Sequence, residues 1–159
     1  MDDIEVAEAA TSADYALGRA LFEEYARSVD ADVCFRDFAP ELDRLTVMYA
    51  PPAGALLLAR AGGHTAGCVG LRKLQDDICE MKRLYVRPAF RGRHIGRRMA
   101  EDIARRARSL GYRTLVLDTL GTMEAAQGLY VSMGFRPATS RYASALPNVK
   151  YFSLDLQGG

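Results

Sequence analysis

The chain has 159 residues, 49% hydrophobic and 26% charged, with a formal net charge of +1. These are the proportions of an ordinary globular protein with enough residues to bury a core. No apolar run approaches the ~20 residues that span a bilayer, and the acidic start lacks the basic, then apolar, stretch of a signal sequence, so no membrane association and a cytoplasmic location are expected. Cys34, Cys68 and Cys79 are odd in number and form no Cys-x-x-Cys pair, which argues for reduced thiols and against a zinc site or any other metal centre.

In chain order, Ile4 to Ala7 suits a short edge strand. Thr11 or Ser12 is a plausible helix N-cap, and Ala16, Leu17, Ala20, Leu21 and Tyr25 mark one helical face to about Ser28. Val29 to Pro40 reads as a loop and Phe38 to Met48 as helical. Pro51, Pro52 and Gly54 break the chain. Ala55 to Ala61 is an apolar strand, Gly62-Gly63 a turn, Ala66 to Leu71 a second strand, and Asp76-Asp77 a turn into the strand Ile78 to Val86. Pro88 has no amide donor and stops that strand near Arg87. Beyond the turn, Met99, Ile103, Ala107 and Leu110 recur with helical period, and Gly111 takes the C-cap position. Thr114 to Leu120 reads as a buried strand parallel to the one before the helix. Met123 to Met133 is a helix ended by Gly134, Phe135 starts another strand, Arg141 to Asn148 is a loop, and Val149 to Leu156 is the last strand. The whole is one α/β (α+β) domain, residues 1–159, on a mixed, mostly antiparallel sheet of about six or seven strands.

Charge is unevenly placed. Between Lys82 and Arg113 the many basic residues meet only Glu101 and Asp102, whereas the first fifty residues lean acidic. Arg91-Gly92-Arg93-His94-Ile95-Gly96 leads directly into the helix, whose first turn offers free N–H groups and the positive end of the dipole. Gly92 and Gly96 clear side-chain bulk from that point, and Arg91, Arg93 and Arg97 add positive charge. Such a turn suits a small, multiply charged anion, most plausibly a pyrophosphate. The competing reading is a surface helix with solvated arginines.

Arg91 to Gly96 resembles the Arg/Gln-x-x-Gly-x-Gly/Ala signature of the GNAT superfamily of acyl-CoA-dependent N-acetyltransferases. Leu84-Tyr85-Val86-Arg87-Pro88 is similar to the end of that family's fourth strand. Leu129-Tyr130-Val131-Ser132-Met133-Gly134-Phe135 is similar to its second signature, a tyrosine on a helix followed by Gly-Phe. The resemblance covers Gly67 to Phe135 in detail. Two residues depart from it. His94 stands where the first glycine is usual, a replacement without loss if backbone amides bind the anion and His94 has helical dihedrals. Met123 stands where many members have an asparagine.

The resemblance implies helices on both faces of the sheet and a splay between strands four and five, with acetyl-CoA as cosubstrate and no metal. The main chain of Leu84 and Val86 would pair with the pantetheine arm, while Arg91, Gly92, Arg93, His94, Gly96 and Arg97 hold the pyrophosphate. The activity implied is direct transfer of an acetyl group to a primary amine in a ternary complex. Backbone donors in the splay would serve the oxyanion, and Tyr130 would be the general acid for the thiolate; the alternative is a core aromatic. Glu80 matches the base position used by the histone acetyltransferase branch. Strand alternation puts it on one face with Lys82 and Leu84, and a carboxylate in an apolar strand is the kind whose pKa rises. Its alternative is an ion pair with Lys82 or Arg83.

With only His64 and His94 present, a hydrolase triad is not expected, nor, without a Walker sequence, nucleotide hydrolysis. The competing functions are an acyl-CoA sensor without turnover and a nucleic-acid module using the basic helix; the latter leaves Gly92, Gly96 and the Tyr130 signature unexplained, so no nucleic-acid partner is expected. The acceptor, a small-molecule or peptide amine, would be framed by the loop holding Asp30, Asp32 and Asp37 and by Arg141 to Asn148. A homodimer is compatible with this reading.

Overall fold

The computed structural model describes residues 3–29, 38–120, 123–138 and 149–157. Seven strands form one sheet in the order β1-β2-β3-β4-β5-β7-β6: β1 (Ile4–Glu8), β2 (Ala55–Ala61), β3 (His64–Gln75), β4 (Ile78–Val86), β5 (Thr114–Leu120), β6 (Arg136–Ala138) and β7 (Val149–Asp155). All neighbours are antiparallel except β4 and β5. The helices are α1 (Ser12–Ser28), α2 (Phe38–Asp43), α3 (Leu45–Met48), α4 (Ile95–Ser109) and α5 (Glu124–Ser132).

Both faces of the sheet are covered, which is why β2 is apolar along nearly its whole length. Leu57 and Ala59 point to one face and pack with Ile95, Met99 and Ile103 of α4. Leu56 and Leu58 point to the other and pack with Leu21 and Phe22 of α1. A capping box opens α1, with the Asp14 amide donating to Thr11 Oγ1 and the Thr11 amide to the Asp14 carboxylate. No helix among the described residues is long and apolar enough to cross a membrane.

Three local readings change. The 38–48 helix is two short helices, parted at Arg44, whose φ and ψ of −108° and 15° are not helical. Strand β3 runs on through its polar end, because Arg72, Lys73 and Gln75 still pair with Glu80, Cys79 and Ile78. Most consequential, β4 does not alternate throughout. Cys68 pairs with Tyr85 but Gly70 with Lys82, so β4 carries an extra residue there, and Arg83 takes a left-handed φ of 61°. Glu80 and Lys82 therefore do not share a face with Leu84: Met81, Leu84 and Val86 pack on the α4 side, Tyr85 on the α1 side.

The bulge is held from below. Arg83 donates through Nε and Nη2 to both oxygens of Glu41 (3.0 and 2.6 Å), and the Tyr49 hydroxyl donates to the same carboxylate (3.0 Å), all three residues being buried. Burial alone would raise the Glu41 pKa, but Arg83, Lys82 and Tyr49 outweigh it and hold the carboxyl below its ordinary value. Cys68 and Cys79 are free and buried; Cys34 and the two loops expected to frame an acceptor lie outside the described residues.

Candidate active site

Strands β4 and β5 pair only at Ile78↔Thr114, Cys79↔Leu115 and Glu80↔Val116. Both continue, to Val86 and Leu120, without further pairing to each other. The strands thus splay, and the slot between them is a cavity of about 180 Å³ whose walls include Leu84, Tyr85 and Val86 of β4, Leu117, Asp118 and Thr119 of β5, Tyr25 of α1, and Tyr130 of α5. Val86 and Arg91 also line a second cavity, of about 460 Å³, shared with Gly92, His94, Gly96, Arg97 and Ser132. The two adjoin at Val86 and Arg91, one at the start of α4 and the other in the slot.

The larger cavity has the character of an anion site. No side chain caps the first turn of α4, so its N–H groups remain available. A Cβ on Gly96 would meet only Val86, at 3.6 Å, and one on Gly92 nothing within 4 Å; the glycines leave room for a ligand rather than for the protein's own packing. Gly92 has a φ of 82°. His94 is left-handed (φ 62°, ψ 22°), not right-handed helical, so replacing a glycine here is not free: an L residue in that region costs roughly 1–2 kcal/mol, with histidine among the better tolerated. The arginines have protein contacts as well. Arg91 Nε donates to the Val86 carbonyl (3.0 Å), Arg97 to the Ser132 hydroxyl across the cavity, and Arg93 lies over the Phe90 ring.

Further along α4 the basic side chains are spoken for. Arg98 donates to the Ile4 carbonyl and pairs with Asp102, Arg105 pairs with Asp102, Arg106 with Glu8, and Arg108 donates to the Leu156 carbonyl. These contacts tie the arginines to the protein itself, so they are not a free basic face for a polyanion.

At the slot, Tyr130 is buried beside Phe135 and Phe152, with ring centroids 5.6 and 6.2 Å away. It also faces the slot, and among the described residues its hydroxyl has no hydrogen-bond partner. Burial first, then Tyr25 and Asp118, raise its pKa. Glu80 is buried but does not line the cavity. It is ion-paired, as its alternative reading allowed, though the partner is Arg72 on β3, whose Nε and Nη2 both lie 2.7 Å from Glu80 Oε1.

Several wall residues were not read as site residues in the sequence. Tyr25 stacks on Tyr85 (5.2 Å), and Tyr85 donates to Glu24, which Arg87 also grips. The Met123 sulfur accepts weak bonds from Tyr25 and Thr119. Asp118 is the other; its signal was a lone carboxylate in an otherwise aliphatic and hydroxyl-bearing strand. No group of three or more metal-ligating side chains occurs among the described residues.

The profile of the acetyltransferase (GNAT) family matches residues 17–135. An uncharacterised N-acetyltransferase of Schizosaccharomyces pombe is 39% identical over 86% of this chain and 85% of its own length. The fold is shared with a GNAT-family acetyltransferase of Staphylococcus aureus, at TM-score 0.77 and 20% identity, covering 97% of this chain and 99% of that one. It is shared too with the Salmonella typhimurium protein yncA, whose structure holds acetyl-CoA as its cofactor (TM-score 0.70, 19% identity, 98% and 95% covered). A splayed β4–β5 pair beside an uncapped helix start, in a sequence that this profile matches over most of its length, has one conclusion: the chain belongs to the GNAT family of acetyltransferases.

Proposed function

We propose that the protein transfers the acetyl group of acetyl-CoA to a primary amine, directly and in a ternary complex. The observation that carries this reading is the adjacency of the two cavities, which share Val86 and Arg91: a basic end at the α4 start and, beside it, a slot lined by the splayed ends of β4 and β5 and by Tyr130. The amides of the turn from Gly92 to Arg97, with Arg91, Arg93 and His94, hold the pyrophosphate. The pantetheine lies along Leu84 and Val86, taking the place of the β5 partner that β4 lacks there. The acetyl-CoA held by yncA as its cofactor supports acetyl-CoA as the cosubstrate.

Within the slot, main-chain donors of β4 stabilise the oxyanion, and Tyr130 protonates the departing thiolate. Glu80 can serve as base only through water, because Arg72 holds it outside the cavity wall. The acceptor is an amine of small-molecule or peptide origin.

Gly96→Glu tests the cofactor placement. A Cβ there makes only an ordinary contact with Val86 at 3.6 Å, whereas the carboxylate beyond it would enter the proposed pyrophosphate site. Calorimetry is expected to show the Kd for CoA raised at least about tenfold, the order expected for 1.4 kcal/mol, with unchanged melting. Unchanged affinity in a folded variant removes the turn from the cofactor site. Release of free thiol from acetyl-CoA on addition of primary amines separates a transferase from a sensor.

A further inference from the structure

Strand β5 reads Thr-Leu-Val-Leu-Asp-Thr-Leu from Thr114 to Leu120, and its single carboxylate has no structural employment. Leu115 and Leu117 pack under α4, so alternation turns Asp118 to the α1 face. It stands two residues past Val116, where pairing with β4 ends, and lines the slot. Among the described residues its carboxylate has no ion pair and no hydrogen bond to another residue. Burial raises its pKa, against the pull of the Lys82 and Arg83 charges and with the push of Glu80. A largely enclosed, unpaired carboxylate costs stability, and in a cleft that cost points to function.

The slot also has two sides. Tyr130 belongs to the core on the α4 side of the sheet, and Asp118 comes from the α1 side. Cofactor enters along the α4 side, past Gly96 and Val86, which leaves the α1 side for the second substrate. Granted acetyl transfer in this slot, we propose that Asp118 is the acceptor-side catalytic residue, receiving a protonated primary amine and taking its proton.

The steps balance. The ammonium gives one proton to the Asp118 carboxylate and becomes a neutral amine. Its nitrogen lone pair attacks the thioester carbon, forming the C–N bond and a tetrahedral oxyanion. Collapse of the oxyanion breaks the C–S bond, and the thiolate takes a proton from Tyr130. The second proton lost by nitrogen restores Tyr130 through solvent, and Asp118 releases its own to solvent. The sum is ammonium plus thioester giving amide, thiol and one proton.

The test uses the full chain, acetyl-CoA, a panel of simple primary amines (propylamine, ethanolamine, putrescine, glycinamide) and hydroxylamine, which is already neutral at neutral pH. Thiol release is followed for the parent, Asp118→Asn, Asp118→Glu and Glu80→Gln, with CoA affinity measured calorimetrically to certify a folded cofactor site. Asp118→Asn is expected to lose at least about tenfold in turnover with the amines and to lose the low-pH limb of the rate profile, general base catalysis being worth ~10²–10⁴-fold. Hydroxylamine turnover should fall far less, and Asp118→Glu should restore part of the amine rate. An Asp118→Asn profile that overlays the parent's overturns this assignment alone, as does a low-pH limb removed by Glu80→Gln and not by Asp118→Asn. If the parent binds CoA yet releases thiol with no amine, the transferase reading itself fails, and this assignment with it.

Discussion

Burial, with Tyr25 and Asp118 beside it, raises the Tyr130 pKa above its ordinary value, so the phenol is protonated when the thiolate departs. Full transfer from a tyrosine of pKa ~10 or above to a thiolate whose conjugate acid has a pKa of roughly 8–9 is uphill, and the phenol helps only if its hydroxyl is held against the sulfur. Tyr130→Phe keeps the ring among Phe135 and Phe152 and should leave melting and CoA affinity unchanged. Turnover should fall at least about tenfold; parental turnover under chemistry-limited conditions would make Tyr130 a packing residue. The role proposed for Tyr130 was legible because the Leu129–Phe135 signature carries it. Asp118 was not, because one carboxylate in a strand says nothing of which neighbour is missing beside it. His94 shows the converse: its identity was visible, but its left-handed backbone depends on a turn that only the folded chain defines.

The bulge in β4 is the element that sets the slot, and it rests on one buried ion pair. Breaking such a pair from one side leaves an uncompensated charge and costs roughly 3–5 kcal/mol. Glu41→Gln, which strands Arg83 beneath the bulge, should lose that much in urea unfolding at neutral pH; a loss below about 1 kcal/mol would show that the bulge holds itself. Strand and helix spans were largely readable, since Ala55–Ala61 and Ile78–Val86 end where glycine, aspartate or proline forces them to. Side-chain facing beyond Lys82 was not. Nothing in Lys82-Arg83-Leu84 announces an extra residue, because the bulge is a property of pairing with β3 and of a glutamate more than forty positions away in sequence. That is why Glu80 was expected to share a face with Leu84, and why its partner is Arg72 across the ladder rather than Lys82 or Arg83.

At the scale of the whole molecule, three carboxylates, Glu24, Glu41 and Asp118, give the protein a distinctive dependence on pH. For Glu24, burial raises the pKa but Arg87 and Tyr85 outweigh it; for Glu41, Arg83 does the same, so both end below their ordinary value. A carboxylate with a depressed folded pKa contributes stability that is present above its unfolded value of ~4.3 and is lost as pH falls through the folded value. Both should therefore drive unfolding in acid. Asp118 has the opposite sign. Its folded pKa is raised, so its contribution is favourable below the unfolded value of ~3.9 and is lost as pH rises through the folded one. Above its folded value the ionised Asp118 is a burden on the fold, kept within a slot that the proposed reaction needs. Asp118→Asn should consequently melt higher than the parent at pH 7, and the difference should shrink toward zero as the parent's carboxyl protonates in acid. Melting curves of both proteins between pH 3 and pH 8 measure this directly. A variant less stable than the parent at neutral pH would mean that the carboxylate supports the fold, and the case for a residue held there by function would lose its energetic half.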